Sequence, residues 1–248
     1  MFGNHFYHAT TRKAVALFGT IFNNINVIRQ DGSGNVLNQI KVPLAYGPKQ
    51  KFLSRLDSVT GQDASMAIKL PRMGFEITSM DIDSTQKLAK RNQIVENHAT
   101  DSTKKKTIKQ AVAYNINMSL YAMAKNQDDG LQIMEQILPY FQPEYTVTIT
   151  PVTGFTYKQD VPIILNAVTI QDDYEGDYQT RRALIYQFDF VMKMKYFGPT
   201  SDQGVIKEIN LDFNADIGGA NILENMDFTI TPANADEDDN YTVNVSIT

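Results

Sequence analysis

From Leu184 to Tyr196 every second residue is apolar: Leu184, Tyr186, Phe188, Phe190, Met192, Met194 and Tyr196. Gln187, Asp189, Lys193 and Lys195 lie between them. Side chains of a strand alternate between two faces, so the run predicts a strand with one face on a core and one on water. At about 3.3 Å per residue it would run roughly 40 Å, against about 17–20 Å for an ordinary strand. A strand of that length bends around a core or projects beyond one. Any exposed part needs a partner, because an uncovered apolar edge templates aggregation. The chain is thereby committed to a sheet, and the run is a first sign of oligomerisation.

Other segments fill in the architecture. Ala14, Leu17, Phe18, Ile21, Phe22 and Ile25 share one face of a 3.6-residue repeat, which predicts a helix with Thr10 or Thr11 as its N-cap. Asn26 to Gln30 and Val36 to Leu44 flank Asp31-Gly32-Ser33-Gly34-Asn35, a hairpin with glycines in its turn. A short amphipathic piece surrounds Phe52, Leu53 and Leu56. Between Ile68 and Ile82 the apolar parity switches after Ile77, which predicts a bulge or break. Residues 84–110 are polar and basic and read as a long excursion, a mobile loop or arm. Val112 to Ala122 alternates cleanly, as do Tyr145, Val147 and Ile149, while Ile163 to Ile170 is apolar on both parities and reads as a central strand. A second helix is predicted from about Asp128, with Leu131, Met134, Leu138 and Phe141 as its buried stripe and Pro139 at its end. Beyond residue 200 weak strand patterns appear at Ile209 to Phe213 and at Phe228 to Ile230. A clear alternation of Tyr241, Val243, Val245 and Ile247 follows the polar turn Ala235 to Asp239.

Together these segments predict an α+β fold: a largely antiparallel β-sheet with two main helices packed on it and protruding hairpin or loop arms. Residues 1–200 are expected to hold the α+β domain, and 201–248 an acidic C-terminal extension ending in a strand.

Composition narrows the chemistry. The absence of cysteine removes disulfides, thiolate nucleophiles and Cys-based zinc sites. Three histidines, His5, His8 and His98, leave little for acid–base work near neutral pH. No apolar stretch approaches the roughly 18 residues of a membrane span, and residues 1–11 carry no apolar leader, so neither a membrane nor secretion is expected. The net charge of −5 is unevenly spread. Residues 87–109 hold seven Lys/Arg against Glu96 and Asp101, and residues 200–248 hold ten Asp/Glu against Lys207 alone. Opposite patches suit contact between copies, or are simply two solvated faces.

The candidate chemistry is thin. His5 and His8 have helical ligand spacing but no third ligand, so no metal is expected. Asp31, Ser33 and Asn35 imitate the start of a calcium loop, but Val36 and Val42 occupy the positions where that loop needs Gly and Glu. No Gly-Lys-Ser/Thr follows the two turn glycines, so they form no phosphate cradle. Lys104, Lys105 and Lys106, with Lys109, could touch phosphates, but without interleaved aromatics a solvated loop explains them more simply. Asp172, Asp173, Glu175 and Asp177 could bind a cation or pair as the acid–base carboxylates of a hydrolase. Nearby Arg181 and Arg182 more simply neutralise them in a charged hairpin turn, or serve as interface charges. No catalytic residue and no cofactor is assigned.

Several segments in order carry a resemblance. They include Met1-Phe2-Gly3, Phe6-Tyr7, Arg12, Asn24-Ile25, Arg29-Gln30, Val42-Pro43 and Leu70-Pro71-Arg72. The most specific is Gln132-Ile133-Met134-Glu135-Gln136-Ile137-Leu138-Pro139-Tyr140-Phe141-Gln142-Pro143, followed by Asp160, Pro162-Ile163, Gly176-Asp177 and Arg181-Arg182. Over roughly residues 1–200 the chain resembles the tail sheath stabiliser and completion proteins of T-even-like bacteriophages, and residues 201–248 match poorly. The resemblance implies a non-enzymatic virion protein, assembled in the host cytoplasm and placed at the head-proximal end of a contractile tail. It implies a homo-hexamer seated on the tail sheath protein and on the tail tube or its terminator. Such a ring stops polymerisation, holds the extended sheath and presents a surface to the head–neck proteins. Arg181, Arg182, Lys104, Lys105 and Lys106 are the interface candidates. The alternative class, motivated by Lys104 to Lys109, is a portal or neck connector that contacts nucleic acid; nucleic acid is otherwise not an expected partner.

Overall fold

The computed structural model describes residues 5–57, 70–86, 89, 91–98, 104–173, 183–204, 206, 208–214, 222–231 and 241–248. In chain order these form α1 (Thr10–Ile21), β1 (Asn26–Gln30), β2 (Val36–Lys41), β3 (Leu44–Tyr46), α2 (Lys49–Asp57) and β4 (Arg72–Ile82). Then come β5 (Gln93–Asn97), β6 (Lys104–Lys109), β7 (Val112–Ala124), α3 (Gln127–Ile137), β8 (Glu144–Ile149) and β9 (Gln159–Asp173). Last are β10 (Ala183–Tyr196), β11 (Thr200–Gly204), β12 (Glu208–Asn214), β13 (Ile222–Thr231) and β14 (Thr242–Ile247). Two compact units interleave along the chain: a larger one of Tyr7–Lys87 and Val112–Tyr196, and a smaller one of Met1–Phe6, Leu88–Ala111 and Phe197–Thr248.

The larger unit is built on a six-stranded sheet, order β3-β4-β7-β10-β9-β8, antiparallel except for the short parallel pair β3–β4. The alternating run becomes β10, but as a central strand. It pairs with β7 from Leu184↔Ala124 to Tyr196↔Val112, and with β9 on its other edge. The expectation that an exposed part of this strand needs a partner is corrected up to Met192, where β7 and β9 pair with both its edges; from Lys193 to Tyr196 the described pairing is with β7. Its even face, Tyr186, Phe188, Phe190, Met192 and Met194, is buried. Against that face pack Ala14, Phe18 and Phe22 from α1 and Ile133 and Ile137 from α3. Phe190 sits among Phe18, Phe22 and Phe141 with ring centroids 5.1–5.4 Å apart. Each such buried side chain stabilises the fold by about 1.5–3 kcal/mol relative to exposure. The opposite face of the sheet is covered at one end by α2, where Phe52 meets Tyr121, Met123 and Ile185.

The parity switch in β4 is a register shift between Ile77 and Ser79 against Met118 and Asn117. The β1–β2 hairpin forms as expected. Two local expectations are corrected. The N-cap of α1 is Ala9, in the left-handed region (φ 55°), and no side chain caps it. Thr10 and Thr11 lie inside the helix, and the Thr11 hydroxyl meets the Tyr196 hydroxyl at 2.9 Å instead. In α3 the fully buried stripe is Gly130, Ile133 and Ile137; Leu131 and Met134 are only half-buried and Leu138 is exposed. The helix is rolled toward this stripe because Gly130, lacking a Cβ, lets its backbone lie against the Tyr186 ring. The helix does end before Pro139, in a single 3-10 turn at Leu138–Tyr140.

The smaller unit holds two three-stranded sheets, β11-β6-β5 and β12-β13-β14, both antiparallel. The reading of 84–110 as a loop is thus corrected over 93–97 and 104–109. These basic residues are strands because β11, nearly a hundred residues later, supplies hydrogen bonds along β6.

Candidate assembly surfaces

Lys104, Lys105 and Lys106 lie on β6, the middle strand of its sheet. Lys106 is in register with Glu96 on β5 and with Asp202 on β11, so a carboxylate flanks it on either side. Directly opposed cross-strand residues have Cβ atoms about 4.5–5.5 Å apart, and opposite charges there are mutually stabilising. Next along β6, the buried Thr107 hydroxyl bonds the Ser201 hydroxyl (2.8 Å) and carbonyl (3.0 Å). The lysines are therefore members of a paired strand. Arg181 and Arg182 lie outside the described residues, as do Glu175, Gly176 and Asp177 of the acidic cluster. The pairing of β9 with β10 is described up to Ala183↔Asp173.

The other sequence candidates resolve into local structure. The Asp31 carboxylate accepts the N–H of Asn35 (2.9 Å), its side-chain amide (3.2 Å) and the N–H of Ser33 (2.9 Å). These bonds hold its pKa below the ordinary carboxylate value and close the turn with the atoms a calcium ion would need. Among the described residues no group of three or more His, Asp or Glu side chains is placed to hold a metal ion.

The specific run from Gln132 forms a bracket between α3 and β1. Gln132 accepts the Ile28 N–H (2.9 Å) and donates to the Ile28 carbonyl (2.9 Å). Gln136, one helical turn on, does the same to Asn26, at 3.4 and 2.7 Å. Two side-chain amides thus satisfy one edge of β1, whose other edge pairs with β2. Beside them the buried Asp129 carboxylate receives two bonds from Arg29 of β1, at 3.2 and 2.6 Å. A two-point bond of this kind fixes direction as well as distance.

Away from α2, the second face of the large sheet is polar. Ser119 donates to Asp189 (2.6 Å), and Asn117 to Ser79 and Asp81 (2.7 Å each). Asp83 has its pKa held down first by the Thr85 hydroxyl at 2.5 Å and more weakly by the Lys193 ammonium at 3.9 Å. Tyr121 donates to Glu76 (2.8 Å), and burial followed by that carboxylate pushes its phenol up to about 12. A shallow cleft of about 370 Å³ at the β8 end brings together Glu144, Gln159, Asp160, Lys193 and Lys195. Charges of both signs converge there, a lining suited to contact with another polar surface.

The β12–β14 sheet is sorted by face. Leu211, Met226 and Ile247 form one cross-strand row, Ile209, Phe228 and Val245 the next, and Ile230 pairs with Val243. All project to the same side, where only Glu224, opposite Phe213, breaks the apolar surface. The reverse side carries Glu208, Asn210, Asp212, Asp227, Asn244 and Ser246. Ile209, Leu211, Phe213, Val243, Val245 and Ile247 are 43–57% exposed. Each strand is a readable alternating triplet, but their shared face follows only from the register.

A model of the T4-like virus Myoviridae tail sheath stabiliser family matches residues 5–248. Tail completion protein gp15 of Enterobacteria phage T4 is 28% identical over 251 residues, covering 96% of this chain and 90% of that protein. The expectation that residues 201–248 match the family poorly is corrected: the family match runs through them. The β12–β14 sheet lies inside the matched region.

Proposed function

Because this chain belongs to the T4-like tail sheath stabiliser family, a structural family of virion tails, we propose that six copies close into a ring at the head-proximal end of the tail. The ring sits on the last ring of tube and sheath, stops their polymerisation, holds the sheath extended and offers its far side to the head–neck proteins. It performs no catalysis. The match over nearly the whole chain carries this reading, and the relative's role as a tail completion protein supports it.

Physical features are consistent with it. A terminator must match a polymer's end on one side and lack that surface on the other. Sheet edges at β5, β8, β11, β12 and β14 and an open apolar face at β12–β14 offer surfaces for such contacts. The alternative of a DNA-contacting neck connector is weakened by Glu96 and Asp202 flanking Lys106.

Two measurements test the proposal: light scattering of the purified chain with and without isolated tails, and electron microscopy of tails matured with and without it. The expected result is a hexameric mass and, without the chain, tails of uneven length or with contracted sheaths. A strict monomer, alone and with tails present, would sink the proposal. Loss of a low-salt DNA shift on Lys104→Ala, Lys105→Ala and Lys106→Ala substitution would favour the connector instead.

A further inference from the structure

We infer that the apolar face of the β12–β14 sheet packs on an apolar patch at one end of the six-stranded sheet of the next copy round the ring. The inference deepens the ring reading and rests on it. A ring with distinct upper and lower sides is closed by heterologous contacts, in which each copy offers two different surfaces. The first surface is open: six residues of the β12–β14 face are 43–57% exposed. At roughly 90 Å² each, with the half-buried side chains of β13 added, its apolar area is roughly 600 Å². A three-stranded sheet becomes independently stable when such a face is packed on something, and monomers rarely expose contiguous apolar patches above about 300–600 Å².

The second surface belongs to the larger unit, where the core face of its sheet outruns its helices. Register puts Ile82, Tyr114 and Met194 in one cross-strand row, Met80, Ile116 and Met192 in the row before it, and Val112 opposite Tyr196 in the row after. This is the face that α1 and α3 cover farther along. At this end the Tyr196 hydroxyl meets Thr11, near the start of α1. Beside that contact Met80, Ile82 and Val112 are 40%, 64% and 52% exposed. The Tyr114 and Tyr196 rings, edge to face at 5.3 Å, floor the patch. Its open apolar area is roughly 300 Å² on the same side-chain areas. Two apolar sheet faces pack about 10 Å apart through interdigitating side chains. Together these two would remove roughly 900 Å² of apolar surface from water. With apolar atoms at about 60% of an interface, the whole contact is roughly 1,500 Å², a standard specific interface. The reverse side of β12–β14, with Glu208, Asp212 and Asp227, offers the patch no such match.

The chain contains no cysteine, so engineered thiols report on chosen positions alone. Val245→Cys places one on the β12–β14 apolar face, Ser246→Cys on the reverse of that sheet and Val112→Cys on the patch. Full-length variants are co-expressed in pairs and treated with a bifunctional maleimide of about 10 Å reach, the spacing of packed sheets. Products are read on a denaturing gel, and assembly by light scattering. Val245→Cys with Val112→Cys should give a covalent two-chain product that neither variant gives alone, and that Ser246→Cys with Val112→Cys does not give. A chain carrying both Val245→Cys and Val112→Cys should give a ladder that ends at six chains. A two-chain product from Val245→Cys alone overturns the inference, because the face then meets its own kind. A double variant cross-linked only within single chains overturns it too. No product from a chain that is hexameric by mass overturns the inference and leaves the ring standing. No product from a chain that stays monomeric with tails present overturns both.

Discussion

Gly130→Ala places two physical effects in opposition, and the structure decides between them. Gly130 lies in α3, where alanine is favoured over glycine by about 1 kcal/mol. By that rule the substitution stabilises. A Cβ at this position, however, would stand 2.2 Å from Cε2 of Tyr186, 2.8 Å from Cζ and 3.0 Å from Cδ2. Ordinary carbon contacts are about 3.5–4.0 Å, so three ring atoms would be overlapped at once. Tyr186 is 2% exposed and sits in the middle of the sheet, flanked by β7 and β9, and cannot swing away. Overpacking by one methyl group costs about 1–3 kcal/mol, and rigid surroundings place this site at the upper end or beyond. After the helix gain is subtracted, Gly130→Ala should destabilise the chain by about 2 kcal/mol. For a domain of this size that lowers Tm by about 4–8 °C. The chain has no tryptophan, so far-UV circular dichroism during urea and thermal unfolding is the suitable assay. Adding Tyr186→Leu, which removes the ring, should recover part of the loss. A Gly130→Ala protein as stable as the parent, or more so, would refute the close packing of α3 on β10.

Arg29→Ala leaves the buried Asp129 carboxylate without its two-point partner and should cost about 1–3 kcal/mol, reduced by the solvent that reaches Arg29. A double-mutant cycle with Asp129→Ala measures the pair, and a coupling near zero would contradict the bond. Gln132→Ala with Gln136→Ala should cost about 2 kcal/mol and raise aggregation on heating, because it opens the edge of β1; unchanged light scattering during a melt would count against the bracket. Tyr121 has a folded pKa of about 12 against an ordinary 10, so between those values the folded chain holds more protons than the unfolded one. Its contribution to stability is therefore present below pH 10 and lost as pH rises from 10 to 12. The urea-midpoint difference between parent and Tyr121→Phe should shrink over that window, and a flat difference would show the phenol to be solvated.

Much of the fold was legible because a strand's period is short and its violations are local. The even face of β10, the clean alternation of β7 and the parity switch at the β4 bulge all appear in the residues themselves. What could not be read depends on partners far along the chain. Lys104 to Lys106 carry no strand pattern, and β6 exists because β11 and β5 bond to it. The roll of α3 was ambiguous because Ile133 and Ile137 form one apolar stripe while Leu131, Met134 and Leu138 form another. The contact of Gly130 with Tyr186 selects between them. Of the charged candidates, Lys106 proves to be flanked within the chain, and Arg181 and Arg182 lie outside the described residues. The triplets of β12, β13 and β14 were each visible, but only their register assembles them into one apolar face.

The glutamine bracket on β1 obeys a ruler. Four residues of helix advance about 6.0 Å, and two residues of strand about 6.6–6.8 Å. Gln132 and Gln136 can therefore keep step with Ile28 and Asn26, but the two periods drift apart with every further beat. The next place along the helix, Asp128, lacks an amide and accepts from Gln132 instead. A helix can seal a strand's flank in this manner for a single stride. The β1–β2 ribbon is consequently closed on the helix side and can be widened only from β2, which gives any strand joining it a fixed direction of approach.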